Sequence, residues 1–229
     1  MSWLSSFWRT SIGGKMTMAV TGLLLFGFVV AHLLGNLQLL QGPDAINEYA
    51  KMLHDLGPLL WVARIGLLVV FVVHVVTAVR LSQANKQARP VPYASEATVQ
   101  ATMASRSMVL SGLSLLVFVI YHLLHFTLGV TNPGHFAMKT SGAGGFDVYA
   151  MVSNSFANPA IALAYAAFQL VLFLHLSHGI QSFAQTVGIH HKRYTPMIKT
   201  LSFLLALVVA GGNALLALSV QVGLVEVAR

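Results

Sequence analysis

Hydrophobic residues along this 229-residue chain gather into five long runs, separated by short polar stretches rich in glycine, proline, asparagine and aspartate. The runs cover residues 16–40, 58–81, 107–130, 159–187 and 200–225. A ~30 Å hydrocarbon core needs ~20 apolar residues at ~1.5 Å each, so every run is long enough to cross a bilayer as an α-helix. Arg64 lies near the start of the second run; the third, fourth and fifth hold no Asp, Glu, Lys or Arg. Helices suit lipid because they satisfy their own backbone hydrogen bonds. An outer-membrane barrel is excluded, since its strands alternate over about ten residues and these runs do not. The pattern predicts an all-α integral membrane protein, a bundle of five transmembrane helices in a single membrane domain over 1–229.

The separators carry turn chemistry: Gln41-Gly42-Pro43-Asp44, Arg89-Pro90-Val91-Pro92, Asn132-Pro133-Gly134 and His190-His191-Lys192-Arg193. Ser141-Gly142-Ala143-Gly144-Gly145 predicts a flexible stretch in the longest of the loops, 131–158. No second domain, convincing repeat or low-complexity tract is evident. The first run follows Arg9 and Lys15 but is too long for a signal-peptide core, and no A-x-A-like cleavage site follows it.

Lysine and arginine orient the bundle. The N-terminus and the second–third and fourth–fifth loops hold nine of them: Arg9, Lys15, Arg80, Lys86, Arg89, Arg106, Lys192, Arg193 and Lys199. The opposite side holds four, Lys51, Arg64, Lys139 and Arg229. This predicts a cytoplasmic N-terminus and an external C-terminus. The plainer reading of the basic face is positive-inside topology; the sharper one adds that it docks a soluble partner.

Composition agrees. Charged residues are 8% and hydrophobic residues 56% of the chain, against ~25% charged in ordinary soluble domains. A net charge of +7 tempts a nucleic-acid reading, but the charges are too few and lie at the helix ends. With no cysteine, disulfides, iron–sulfur clusters, Cys-ligated zinc and covalent haem attachment all fall away. Any chemistry rests on the ten histidines.

Ionisable residues inside a span are costly and usually functional. His32 lies in the first run, His74 in the second, His122 and His125 in the third, His175 and His178 in the fourth, and the fifth has none. His32 comes 17 residues after Lys15, and His74, His122 and His175 each come 16 after Pro58, Arg106 and Pro159. Each is therefore ~24–26 Å along its helix. Because successive helices reverse direction, His32 and His122 fall near the outer surface and His74 and His175 near the cytoplasmic one, in layers up to ~18 Å apart. Two facing imidazoles per layer suit haem iron with axial histidines in a bundle core. Zinc would want further ligands, and a proton relay would want carboxylates that no span supplies. The plain alternative is four histidines bonding neighbouring helices; matched depth and pairing by layer argue against it.

His125 and His178 each follow a proposed ligand by three residues, on nearly the same helix face. The pattern leaves them open as ligands, as propionate or quinone contacts, or as satisfied core groups, the non-ligand readings being preferred. Two stacked haems make an electron path between the membrane faces. No dinucleotide fingerprint follows a strand, so the cytoplasmic redox partner is expected to be another chain, and the second partner a lipid-soluble quinone. Glu48, Lys51, His54 and Asp55 precede the second span on the outer side. Glu48, His54 and Asp55 are candidate quinone contacts, against the plain reading of a solvated loop.

At this point the chain resembles the single-chain, five-helix, dihaem cytochrome b subunit of bacterial succinate:quinone oxidoreductases, the family that includes fumarate reductases. The resemblance covers nearly the whole chain. It is carried by Val20-Thr21-Gly22-Leu23, His32-Leu33-Leu34-Gly35-Asn36 and His175-Leu176-Ser177-His178-Gly179, with Ser182-Phe183-Ala184 and Gly188 following. It implies His175 over His178, four residues before Gly179, and His122 over His125, after Tyr121. The 42-residue step from His32 to His74 also suits it.

It further implies a membrane anchor for a flavoprotein subunit and an iron–sulfur subunit in a bacterial cytoplasmic membrane, within a complex that can form a higher oligomer. Electrons from succinate would pass through the inner haem (His74, His175) and the outer haem (His32, His122) to menaquinone, with no dicarboxylate chemistry in this chain. Fumarate reduction runs the path backwards. Some fumarate reductases of the family have a glutamate two residues before the helix-four ligand; Phe173 stands there, which favours succinate oxidation. Thr186 replaces a basic residue that relatives place near a haem propionate, and Arg80, Arg106, His190 and Lys192 remain candidates for that role. Other membrane oxidoreductases with haem-b subunits differ in which helices carry ligands. A transporter would show broken helices or inverted repeats.

Overall fold

The computed structural model describes residues 6–8, 10–88, 91, 101–137 and 147–228, and among these the regular structure is helical, with no strand. The helices are α1 (Ser11–Asn36), α2 (Pro43–Asp55), α3 (Pro58–Gln87), α4 (Met103–Arg106), α5 (Met108–His122), α6 (Pro133–Phe136), α7 (Val148–Phe156), α8 (Pro159–Thr186) and α9 (Thr195–Leu218). A 3₁₀ turn, Leu37–Gln41, prolongs α1, and a π turn, Leu123–Thr127, prolongs α5. With these extensions α1, α3, α5, α8 and α9 are the five helices long and apolar enough to cross a membrane. The expected five-helix membrane bundle is the fold observed.

Several limits differ from the hydropathy limits, for local reasons. The first span starts at Ser11 rather than 16, because the Thr10 Oγ1 accepts the Gly13 N–H at 2.9 Å and caps the helix. The second runs to Gln87, past the apolar run, with Arg80 and Lys86 on its last two turns. The fifth begins at Thr195, with Pro196 in its first turn. It stops at Leu218 because Gly223, at φ 75°, reverses the backbone and the Leu224 N–H bonds back to the Ser219 carbonyl at 2.8 Å. The outer connections, read from sequence as polar stretches, hold α2, α6 and α7. Arg9, Arg89, Lys139, Arg229 and the glycine-rich stretch 141–145 lie outside the described residues.

Neighbouring spans alternate in direction. Gly14 at the start of α1 abuts Arg80 and Leu81 near the end of α3, and α4 touches α8. One end of the bundle thus gathers Lys15, Arg80, Lys86, Arg106, Lys192, Arg193 and Lys199. The other end is closed by hydrogen bonds between connections: Asn47 Nδ2 donates to Asp147 Oδ1 at 3.0 Å, and the Tyr149 hydroxyl donates to the Glu226 carbonyl at 2.9 Å. There Leu33, Leu39, Ile46, Tyr149, Leu216 and Val225 form a buried cluster. Helix α8 is central, packed on α9, α5 and α1, while α3 leans on α1. Leu59, Val62, Ile65, Val69 and Val72 of α3 are exposed. With the backbone bonded internally, such a surface is stable against lipid tails.

Candidate functional site

The four proposed ligands stand on four helices at two levels, and His32 and His122 meet ring to ring. At the outer level, His32 of α1 meets His122 of α5, ring centroids 5.8 Å apart and planes at 86°. His32 stacks on Phe28 at 5.5 Å, and His122 is bordered by Phe118, Phe126 and Tyr165. His122 Nδ1 is buried without a hydrogen-bond partner. At the inner level, the one nearer the basic end, His74 stands on α3 and His175 on α8. Each inner ring is held at Nδ1 by a hydroxyl of a third helix: Thr21 Oγ1 of α1 lies 3.0 Å from His74 Nδ1, and Ser111 Oγ of α5 lies 3.1 Å from His175 Nδ1. Thr21 precedes His32 by 11 residues on α1, as Ser111 precedes His122 on α5. The two pairs therefore lie ~16 Å apart along the helix axes.

These pairs fit a haem better than a bare metal ion. At the outer level His32 and His122 would hold the haem iron, one imidazole from each of two helices in aromatic surroundings. Among the described residues no three His, Cys, Asp or Glu side chains gather as a metal cage. Two ligands per centre leave the remaining positions to a macrocycle. On α3 the face that carries His74 continues toward the basic end with Thr77 and Arg80. Thr77 Oγ1 and Arg80 Nη1 are both buried without a partner, donors suited to a carboxylate edge. Arg80 also donates from Nη2 to the Trp8 carbonyl and stacks over the Trp8 ring at 4.1 Å. Arg106, His190 and Lys192 are exposed.

His125 sits in the π turn, 1% exposed, with both ring nitrogens engaged: Nδ1 lies 2.8 Å from the Tyr165 hydroxyl and Nε2 2.5 Å from Asn132 Nδ2. No nitrogen is left for iron, so His125 is a satisfied core group. Tyr165, Tyr121, Phe118 and Phe168 line a neighbouring cavity of about 240 Å³ between α5 and α8. His178 is half-buried, one turn beyond His175. Glu48, His54 and Asp55 lie on the exposed face of α2, where Asp55 pairs with Lys51 at 2.7 Å. Tyr49 of the same helix packs against Gly35, three residues past His32. Thr21, Ser111 and Thr77 are the functional candidates that sequence reading missed. The signal for the first two was present: a hydroxyl followed by glycine, 11 residues before a histidine, twice.

Fold and site together define a polytopic helical membrane protein that presents paired imidazoles at two depths. The family model described as succinate dehydrogenase/fumarate reductase transmembrane subunit matches residues 89–212, which hold α4 to α8 and most of α9. The chain belongs to that family, and is a multi-pass membrane subunit of a succinate dehydrogenase/fumarate reductase complex. No curated protein and no solved structure matches it.

Proposed function

We propose that the chain is the dihaem cytochrome b anchor of a succinate:menaquinone oxidoreductase in a bacterial cytoplasmic membrane, with its N-terminus in the cytoplasm and its C-terminus outside. The observation that carries this reading is the meeting of His32 with His122 at one level of the bundle, with His74 and His175 each set against a hydroxyl at the other. Bound haem supplies one-electron carriage between a cytoplasmic donor and a quinone near the outer surface. The imidazoles hold the iron from four helices, so the same bonds that bind the cofactor also tie the bundle together. Thr77 and Arg80 take the inner carboxylate edge. The basic end, with Lys15, Lys86, Arg106, Lys192, Arg193 and Lys199, receives the iron–sulfur and flavoprotein subunits.

Glu48, His54 and Asp55 on α2 serve the quinone, whose reduction consumes protons on that side. Succinate oxidation is the preferred direction. Phe173, two residues before His175, packs edge-on against Phe203 at 5.1 Å and offers no proton-carrying group there.

The test is a reduced-minus-oxidised spectrum of the purified complex with haem counted per chain. Two haems b are expected, with His32→Ala and His74→Ala each losing a different one. An intact chain without haem would sink the reading and return the histidines to packing.

A further inference from the structure

The two halves of the bundle repeat a three-part pattern that alignment of the runs does not reveal. Thr21, Gly22 and His32 on α1 stand 90 residues before Ser111, Gly112 and His122 on α5. Eleven residues is close to three turns at ~3.6 residues each, so the hydroxyl and histidine of each helix share a face, one per level. The histidines of these helices meet each other at the outer level, while the hydroxyls meet the inner histidines. Both glycines face the inner rings: a Cβ on Gly22 would touch His74 Cε1 at 3.4 Å, and one on Gly112 would touch His175 Cε1 at 3.5 Å.

With Nε2 given to iron, Nδ1 carries the ring proton, which sets the direction of both hydrogen bonds. The Thr21 hydroxyl donates to the Thr17 carbonyl at 2.7 Å, and the Ser111 hydroxyl to the Met108 carbonyl at 3.1 Å. A hydroxyl has one proton and two lone pairs, so its oxygen accepts Nδ1–H from the ring. Both inner imidazoles are then fixed with the proton on Nδ1 and the lone pair on Nε2, the form a metal ligand needs. The outer level has no such device at His122, whose Nδ1 is buried without a partner.

We infer that Thr21 and Ser111 are positioning residues for the inner haem: they aim Nε2 of His74 and His175 at the iron and lower the reduction potential of that site. The inference rests on the dihaem reading above. A ring that donates its second N–H to a fixed acceptor is a more basic ligand, and a more basic ligand favours the ferric state. The hydroxyls act only on the inner level, so the two sites become inequivalent though all four ligands are histidines.

The experiment is a potentiometric titration of the purified complex carrying Thr21→Val, Ser111→Ala or Thr21→Ser, followed at the haem bands. The inner band is the one missing from His74→Ala. Thr21→Val and Ser111→Ala are expected each to move the inner ferric–ferrous equilibrium roughly tenfold toward ferrous, leaving the outer site unmoved, and Thr21→Ser to restore the original value. Two haems with unchanged potentials in both variants would overturn the inference and leave the dihaem reading standing. Equal shifts at both sites, or loss of both haems, would also overturn it, by marking a general disturbance of the bundle. A wild-type complex without haem would overturn the dihaem reading and this inference with it.

Discussion

Replacing Tyr165 by Phe isolates one hydroxyl in the middle of the outer level. The Tyr165 ring is packed edge-on against Phe118 at 5.2 Å and Phe156 at 5.1 Å, and a phenylalanine keeps those contacts. What disappears is the partner of His125 Nδ1, on a side chain only 1% exposed. In water-soluble proteins an orphaned buried polar group costs ~1–3 kcal/mol. Between membrane helices the measured average is smaller, ~0.6 with a maximum near ~1.7 kcal/mol, because the unfolded chain in the membrane also finds partners. His125 is held in a π turn with Asn132 on its other nitrogen. That leaves little freedom to find another partner, and places the expected loss near the upper end, ~1–1.7 kcal/mol. The assay is unfolding of the purified protein by titrated SDS in mixed micelles, run as a cycle with His125→Leu. Tyr165→Phe strands His125 Nδ1, His125→Leu strands the Tyr165 hydroxyl and Asn132 Nδ2, and the double variant strands Asn132 Nδ2 alone. The double should therefore be more stable than the sum of the singles by about the same ~1–1.7 kcal/mol. Strict additivity, or a Tyr165→Phe protein indistinguishable from the original, would refute the claim that this hydrogen bond stabilises the bundle.

Three further outcomes are expected. Asp55→Asn removes an ion pair whose members are 64% and 63% exposed, so stability should change by less than ~0.5 kcal/mol. Quinone-reductase turnover of the complex should nevertheless fall, and unchanged turnover would strike Asp55 from the quinone contacts. Asn47→Ala strands the Tyr149 N–H, which bonds Asn47 Oδ1 at 3.1 Å, and takes the donor from Asp147. It should cost ~1–3 kcal/mol and speed hydrogen exchange across α7, with protection equal to the original as the contrary result. Gly212→Val puts a Cβ 2.9 Å from Leu33 Cδ2. Overpacking there should cost ~1–3 kcal/mol in the SDS titration and disturb the outer haem band before the inner one; an unaltered melt and spectrum would contradict it.

The spans were legible in the sequence because length and charge exclusion are strong signals in lipid. The histidine pairs were legible because equal depth on antiparallel helices sorts residues into levels. The π turn was not, since Leu123–Thr127 has the same hydropathy as an α-helix and only the hydrogen-bond register differs. That register sends the His125 ring to Tyr165 and Asn132, an engagement that hydropathy does not disclose. Thr21 and Ser111 were hidden for another reason. Helix-interior hydroxyls commonly bond back to a carbonyl one turn earlier, as both do here, and nothing local marks the second bond each accepts. α7 was read as loop because its nine residues are too few for a span; its stability comes from Asp147, which caps it, and from Tyr149 and Phe156, buried in the outer-end clusters.

The fifth span carries no histidine, yet its packing accounts for how two of the other four are turned. Ala206 and Val209 of α9 are buried against Leu172 and Leu176 of α8 and Phe26 and Val30 of α1. Gly212 leaves room for Leu33. Leu33 follows His32, and Leu176 follows His175, in each case by one residue. Adjacent residues on a helix diverge by ~100° about its axis. Once Leu33 and Leu176 are drawn to α9, His32 and His175 are rotated away from it, toward His122 and toward Ser111. Small side chains on α9 let the backbones approach closely, which converts a weak rotational preference into a fixed one. Four helices thus present the imidazoles, and the fifth sets the rotation of two of them.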